Sequence, residues 1–308
     1  MGLAILDGLL SGTSSTVERD STNLEAHSTR TQRNHVPNKF VLCVRSEDSK
    51  NKLLRRFAGN SGKISILKQQ NVEAVRRSNI LLLGCKPYMV TTLLAEPGIQ
   101  PALRGKLLVS IVGGWTREQL ETLLYSSPTT LENINERCWV VRAMPNVAAS
   151  VLQSATAIES SEPYLPEHLA ATVDAIFRTV GTVVHLPSSQ MDVSTALTGS
   201  TPAFFAIICD ALIDGAVSMG MPRQDARDMT FQALRSTSEL LQGGESPTSL
   251  KEKVTSPGGC TIGALMLLEE AGIRGIMSKA LRESTSIAAL LGRGYSNVNG
   301  TRGLSKAP

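Results

Sequence analysis

Short apolar runs alternate with amphipathic stretches through residues 1–187, and after LPSSQ at 186–190 the runs stop. This change of period is the strongest constraint on what the chain can fold into. KFVLCVR (39–45), KISIL (63–67), NILLLG (79–84), LLVSIV (107–112), CWVVRAM (138–144) and TVVHL (182–186) have the length of strands, and several are apolar throughout. Strands covered on both faces read this way. EDSKNKLLRRFA, EAVRRS and TREQLETLLY lie between them at helical spacing. The alternation predicts an α/β domain over 1–187, a mostly parallel sheet wrapped by helices. Residues 11–38, rich in Ser, Thr, Asn and charge, read as a polar insertion. Only long apolar-periodic segments such as PAFFAIICDALIDGAVSMG follow Met191, so 188–294 is predicted to be an all-helical domain. The polar tail, 295–308, is expected to be disordered.

Composition narrows the function. A length of 308 residues with 42% hydrophobic content supports two cores. Lys and Arg number 31 against 27 Asp and Glu, a net +4 spread along the chain, and aromatic residues make up only 4%. Neither a basic face nor a base-stacking platform is signalled, so nucleic acid is not an expected partner. Cys43, Cys85, Cys138, Cys209 and Cys260 are odd in number and scattered, as free thiols in a reducing compartment would be. The four histidines lack metal-ligand spacing, so no metal is expected. No apolar run is read as approaching the ~20 residues that cross a bilayer. The opening MGLAILDGLL has no basic residue before its apolar positions, Asp7 interrupts it, and Leu6 stands where myristoylation wants Ser or Thr. A cytoplasmic protein without a membrane partner is expected.

Three stretches carry chemistry. Arg45 and Ser46 follow the first apolar run. In a dinucleotide fold that place holds the group contacting the adenosine ribose, and Arg or Ser there suits a 2′-phosphate, favouring NADPH with NADH as the alternative. A solvated Arg at a strand end is the plainer reading. Lys86 and Pro87, directly after ILLLGC, read either as a helix start or as a turn against a cofactor. VTSPGGCTIGALMLLEE, 254–270, is the most informative. Its Ser-Pro-Gly-Gly turn lets backbone approach a ligand, and Thr261 opens a helix whose free N–H groups suit a carboxylate. Plain N-capping by Thr261 is the competing reading. Cys260 has no histidine after it to act as a base, which argues against a nucleophile. Met219, Met221 and Met229 read as core filling.

VTSPGGCTIGAL (254–265), LTGSTPAFFAIICDALIDGAVSMGMPR (197–223), CKPYMV (85–90), VSIVGG (109–114) and VVRAMPN (140–146) together resemble the pyrroline-5-carboxylate reductase family, over nearly the whole chain. The resemblance implies a Rossmann-like NAD(P)-binding domain followed by a helical domain that interlocks with its twin in a homodimer or higher homo-oligomer. It implies reduction of 1-pyrroline-5-carboxylate to L-proline by direct hydride transfer, the last step of proline biosynthesis. Thr261 would be the catalytic residue, its hydroxyl on the ring nitrogen. Ser256, Gly258, Gly259, Cys260, Thr261 and Glu252 would bind substrate. Asn71, Cys85, Lys86, Pro87 and Gly113 would line the cofactor with Arg45 and Ser46.

Members of that family begin with a strand and a GxGxMG loop, so Met1-Gly2 resembles the end of that loop. The first strand and earlier glycines are then missing ahead of residue 1, and Gly2 would stand at the third glycine, packing helix against strand. Thr201 replaces a family glycine and is expected to crowd the first long helix; Ser188 replaces an acidic residue. Two alternatives stay open. One is a non-catalytic or truncated paralogue that only dimerises. The other is a 3-hydroxyacid or ketoacid reductase, which would need one of Lys251, Lys253 or Lys279 as its acid or base.

Overall fold

The computed structural model describes residues 1–12, 36–130, 132–160, 162–292, 295 and 298. Two compact units emerge, Met1–Thr195 with Ile287–Pro308, and Ala196–Ser286.

The first unit holds helices α1 (Gly2–Gly12), α2 (Glu47–Arg56), α3 (Asn71–Arg76), α4 (Val90–Leu94), α5 (Ile99–Leu103), α6 (Arg117–Tyr125) and α7 (Glu167–Arg178). Its strands are β1 (Phe40–Val44), β2 (Ile64–Lys68), β3 (Ile80–Leu83), β4 (Leu107–Ser110), β5 (Trp139–Met144), β6 (Ser154–Ser160) and β7 (Gly181–Pro187). Six coincide with the apolar runs. The expected insertion 11–38 is helical at its start, because α1 continues to Gly12; residues 13–35 lie outside the described residues, as does nearly all of the tail.

β4 shows why continuous apolar runs become central strands. Leu107 and Val109 face one side, where Ile5 and Leu9 of α1 and Val173, Ile176 and Phe177 of α7 cover them. Leu108 faces the other, against Val90, Leu103 and Leu120 from α4, α5 and α6. Successive side chains of a strand point to opposite faces, so a strand between two helical layers has no polar side. Local signals agree. Ser46 caps α2, with Glu47 and Asp48 in its first turn and Arg55 and Arg56 in its last, matching the helix dipole. Thr116 and Gln119 form a capping box on α6.

The strands form two sheets. β1 pairs with β2 in parallel, Phe40 opposite Ile64 through Val44 opposite Lys68. The other sheet runs β3-β4-β5-β6-β7. All its pairs are parallel except β5 with β6. Among the described residues no strand pairs with the second edge of β1 or of β3. Helix α1 touches the cores on both sheets: Ile5 and Leu9 pack with Phe40 and Ile80, while Leu6 and Leu10 pack with Leu53, Phe57 and Ile64. Its close contact is at Gly8, where an added Cβ would lie 2.6 Å from Val180, whereas a Cβ on Gly2 would meet nothing within 4 Å. The helix-on-strand packing expected of Gly2 is therefore corrected: Gly2 makes no close approach, and the close approach of α1 is at Gly8, against the turn that follows α7.

Sequence reading missed β6, SATAIES. Ser154 and Thr156 are buried there and share a 3.2 Å hydrogen bond, so the strand lacks the apolar signature of its neighbours.

The second unit is helical, as expected: α8 (Met191–Gly199) leads into it, and α9 (Thr201–Ser218), α10 (Arg223–Gln242), α11 (Pro247–Lys253), α12 (Cys260–Glu270) and α13 (Ile273–Gly292) follow. Thr201 sits in the first turn of α9, where its hydroxyl donates to the Leu197 carbonyl across the α8–α9 junction. Few apolar side chains of this unit are covered within one chain. Ile207, Leu212, Met229, Phe231, Met266 and Leu267 are exposed. Met219, Met221 and Met229 are exposed too, which corrects their reading as core: the unit is too thin to bury both sides of its helices. One stretch, 188–218, is long and apolar enough to cross a membrane by length and composition, correcting the expectation that none is; only 17% of its apolar window is buried.

Candidate active site

The predicted residues fall into two groups, one in each unit.

In the first unit they cluster at the carboxyl ends of parallel strands. β1 hands over to Arg45 and Ser46, β2 to Asn71, β3 to Cys85, Lys86 and Pro87, and β4 to Gly113. In an open α/β sheet ligands bind outside these ends, at the point where strand order reverses. Here, among the described residues, β1 and β3 are the unpaired edges of two separate sheets, both packed on α1 through Phe40 and Ile80. Arg45 and Lys86 are exposed, and neither has an ion-pair partner among the described residues. Two cations at strand ends without ion-pair partners, and an exposed Gly113 around which a Cβ would meet nothing within 4 Å, suit a phosphate-bearing ligand. The donor set thus fits a dinucleotide.

Other members of the group have structural duties. Ser46 accepts the Ser49 N–H at 3.2 Å and donates to the Ser49 hydroxyl at 2.9 Å, so it is a helix cap. The Asn71 amide donates to Glu96 at 2.7 Å and its oxygen accepts from the Cys43 thiol at 3.1 Å. Pro87 offers its carbonyl to the Trp115 indole at 3.1 Å. Burial pushes the Cys85 thiol up from its ordinary pKa, so it is held neutral. Sequence reasoning singled out Gly113, but the glycine that the backbone requires is Gly114. Its φ is +79°, and an added Cβ would lie 3.3 Å from the Leu291 carbonyl.

In the second unit the group is one loop and a helix start. Glu252, exposed in the last turn of α11, precedes the turn Ser256–Gly259, in which the Gly259 N–H donates to the Ser256 carbonyl at 3.1 Å. The backbone requires glycine at 258, and Gly259 leaves room for the Ser256 side chain. Gly258 has φ +67°, and a Cβ on Gly259 would lie 2.5 Å from the Ser256 hydroxyl. Gly259 is the N-cap of α12, with extended backbone and no side-chain cap bond. Thr261 is therefore inside the first turn rather than at the cap. Plain capping is excluded as its role, since its hydroxyl bonds to nothing among the described residues. The N–H groups of Cys260, Thr261 and Ile262 start the helix without intrahelical acceptors and carry the positive end of its dipole. The arrangement presents N–H donors and one uncommitted hydroxyl side by side, a receptor for a carboxylate next to a second polar atom. No group of His, Cys, Asp and Glu able to hold a metal occurs among the described residues.

The family model for pyrroline-5-carboxylate reductase dimerisation matches residues 188–291, and that for NADP oxidoreductase, coenzyme F420-dependent, matches 25–114. The pyrroline-5-carboxylate reductase of Lophium arboricola is 44% identical over 302 residues, covering 98% of this chain and 93% of its own length. The chain belongs to the pyrroline-5-carboxylate reductase family. Membership makes it an NAD(P)H-dependent oxidoreductase of proline biosynthesis with pyrroline-5-carboxylate reductase activity. Its Neurospora crassa relative is 39% identical over 322 residues, again 98% of this chain and 93% of the relative. Among solved structures, the Coxiella burnetii pyrroline-5-carboxylate reductase matches with a TM-score of 0.69 at 24% identity, over 94% of this chain and 95% of that one. The Plasmodium falciparum enzyme, solved with NADP bound, matches with a TM-score of 0.66 at 23% identity, over 82% and 98%. At these identities the two structures speak for the fold: a Rossmann-like domain and a helical dimerisation domain.

Proposed function

We propose that this reductase uses NADPH, receives pyrroline-5-carboxylate at the 256–261 loop, and works as a homodimer in the cytoplasm. The uncommitted Thr261 hydroxyl beside the open N–H groups of α12 carries the substrate reading. These N–H groups hold the substrate carboxylate, with Ser256, Gly258 and Gly259 shaping the approach and Glu252 nearby in sequence. The Thr261 hydroxyl donates to the ring nitrogen and orients the imine. When bound, the reduced nicotinamide supplies the hydride for the imine carbon. Positioning provides most of the acceleration, because the difficult chemistry belongs to the cofactor.

Preference for NADPH rests on Arg45, a free cation at the end of β1 where an acidic residue would accept ribose hydroxyls. Ser46, Lys86 and Gly113 complete the phosphate and nicotinamide contacts, with Asn71, Cys85 and Pro87 fixing the strand ends around them; Gly2, the first residue of α1, is assigned to the pyrophosphate side. The NADP in the Plasmodium falciparum relative supports the same choice. Dimerisation accounts for the exposed Ile207, Phe231, Met266 and Leu267, which lie within the matched dimerisation region, and for the apolar stretch 188–218 without a membrane. Five free cysteines suit a reducing cytoplasm.

The test mixes the full chain with pyrroline-5-carboxylate and NADPH or NADH, following absorbance of the reduced nicotinamide, with size exclusion for the dimer. Faster NADPH consumption with stoichiometric proline is expected. Absence of oxidation with both cofactors would return the chain to the alternative of a non-catalytic, dimerising member.

A further inference from the structure

A cavity lies wholly inside the first unit, and none of the residues of the two groups above lines it. β5 pairs with β6 over only two positions, Ala143 with Ile158 and Met144 with Ala157. Beyond them the strands part, and a cavity of about 140 Å3 opens between β5, β6, the start of α6 and α7. Its walls are mixed. Val140, Ile158 and Val173 are apolar, whereas Arg117, Thr129 and Glu159 bring polar atoms although each residue is more than nine-tenths buried.

These polar atoms are incompletely matched. One carboxylate oxygen of Glu159, Oε2, and the Thr129 hydroxyl are buried without a hydrogen-bond partner. Arg117 gives its Nε to Glu121 at 2.6 Å, and its terminal nitrogens meet no acceptor among the described residues. Buried polar groups in native proteins are nearly always paired, so the unmatched Glu159 oxygen and Thr129 hydroxyl on one cavity imply something that completes them, with the terminal N–H groups of Arg117 as further donors on the same wall. The volume exceeds what one water needs by about tenfold and is near that of an engineered cavity that admits benzene, so about six heavy atoms fit.

We propose that this cavity is a binding site for a small α-amino acid in its zwitterionic form, the ammonium on Glu159 and Thr129 and the carboxylate on the Arg117 guanidinium. The charges select this class. A simple anion would meet the Glu159 carboxylate, and a simple cation would face the Arg117 guanidinium and leave its terminal N–H groups, which Glu121 does not reach, without an acceptor. One carboxylate oxygen and one hydroxyl are too few hard ligands for a divalent cation. Val140, Ile158 and Val173 would cover a small aliphatic side chain.

The experiment titrates the full-length protein with L-alanine, propionate, ethylamine and inorganic phosphate by calorimetry. L-Alanine is expected to bind saturably at one site per chain, and propionate and ethylamine at least about tenfold more weakly, because each lacks one charged end. Ala170→Leu, which fills the cavity from α7, and Glu159→Gln are each expected to weaken L-alanine binding at least about tenfold. Thr261→Ala is expected to leave it unchanged, which separates this site from the substrate loop. NADPH-dependent turnover of both cavity variants checks that they fold. No saturable binding of L-alanine, equal binding in either folded cavity variant, loss on Thr261→Ala, or tighter binding of ethylamine or phosphate would each overturn the proposal.

Discussion

Arg117 and Glu121, one turn apart on α6, form a 2.6 Å ion pair in which the side chains are only 9% and 2% exposed. The second Glu121 oxygen accepts the Thr129 N–H at 2.9 Å, so this carboxylate fixes the 125–130 turn as well as the helix. Removing one partner of a buried pair strands a charge in a low-dielectric setting, while removing both does not. Glu121→Ala is expected to destabilise the protein by about 3–5 kcal/mol. Arg117→Met with Glu121→Leu should lose much less than the single variant. Urea unfolding of the three proteins decides it; equal losses in the single and double variants would mean that the pair is not the stabilising element.

Arg45 offers a test of cofactor choice that leaves the fold untouched, because its side chain is exposed and unpaired among the described residues. Arg45→Glu is expected to raise the KM for NADPH about tenfold or more, by replacing attraction to a phosphate with repulsion, and to lower or preserve that for NADH. The wild-type NADPH KM should also rise with salt. Parallel kinetics with the two cofactors would show an unchanged ratio if Arg45 is merely solvated.

Glu159 gives a pH dependence of known sign. Burial raises its pKa above the ordinary carboxylate value, opposed by the Arg142 cation and by the Ser188 hydroxyl. The folded state therefore holds this proton more tightly than the unfolded state does. Its contribution is fully present below the unfolded pKa and is lost as pH rises through the folded one. Glu159→Gln cannot titrate. The Tm of the wild type minus that of Glu159→Gln should accordingly fall between pH 4 and pH 8, in thermal melts without added ligand. A difference that rises with pH would mean that Arg142 outweighs burial.

The sequence displays its fold wherever burial is apolar. β4 and β5 were legible because both of their faces meet helices, and 188–294 because its apolar positions recur at helical spacing. β6 was hidden because Ser154 and Thr156 satisfy each other inside the sheet. Gly114 was passed over for Gly113 because the two are adjacent and only the backbone distinguishes φ +79° from an ordinary turn. The loop proposed to receive substrate stood out because Ser-Pro-Gly-Gly before an apolar helix opens the backbone at a helix start, although the same pattern also serves plain capping. The charged cavity had no signal at all: Arg117, Glu121 and Glu159 look like solvated residues until the parting of β5 from β6 encloses them.

Thr261 carries the proposed mechanism. Its hydroxyl has no bond among the described residues, and Gly259 rather than Thr261 is the cap of α12, so the side chain does nothing identifiable for the helix. Thr261→Ala removes one hydroxyl and leaves the N–H groups that would hold the carboxylate. Turnover should fall by about 10²–10⁴-fold, the range for a lost proton donor, with NADPH binding and Tm nearly unchanged. Thr261→Ser restores the hydroxyl and should recover most of the rate, whereas Thr261→Val keeps the shape and should not. The split between kcat and KM matters: a donor to the ring nitrogen acts on kcat, while a mere wall of the pocket would act on KM. Steady-state kinetics of the three variants with pyrroline-5-carboxylate tests this, and a Val variant as fast as the Ser variant would end the assignment of Thr261 as the donor.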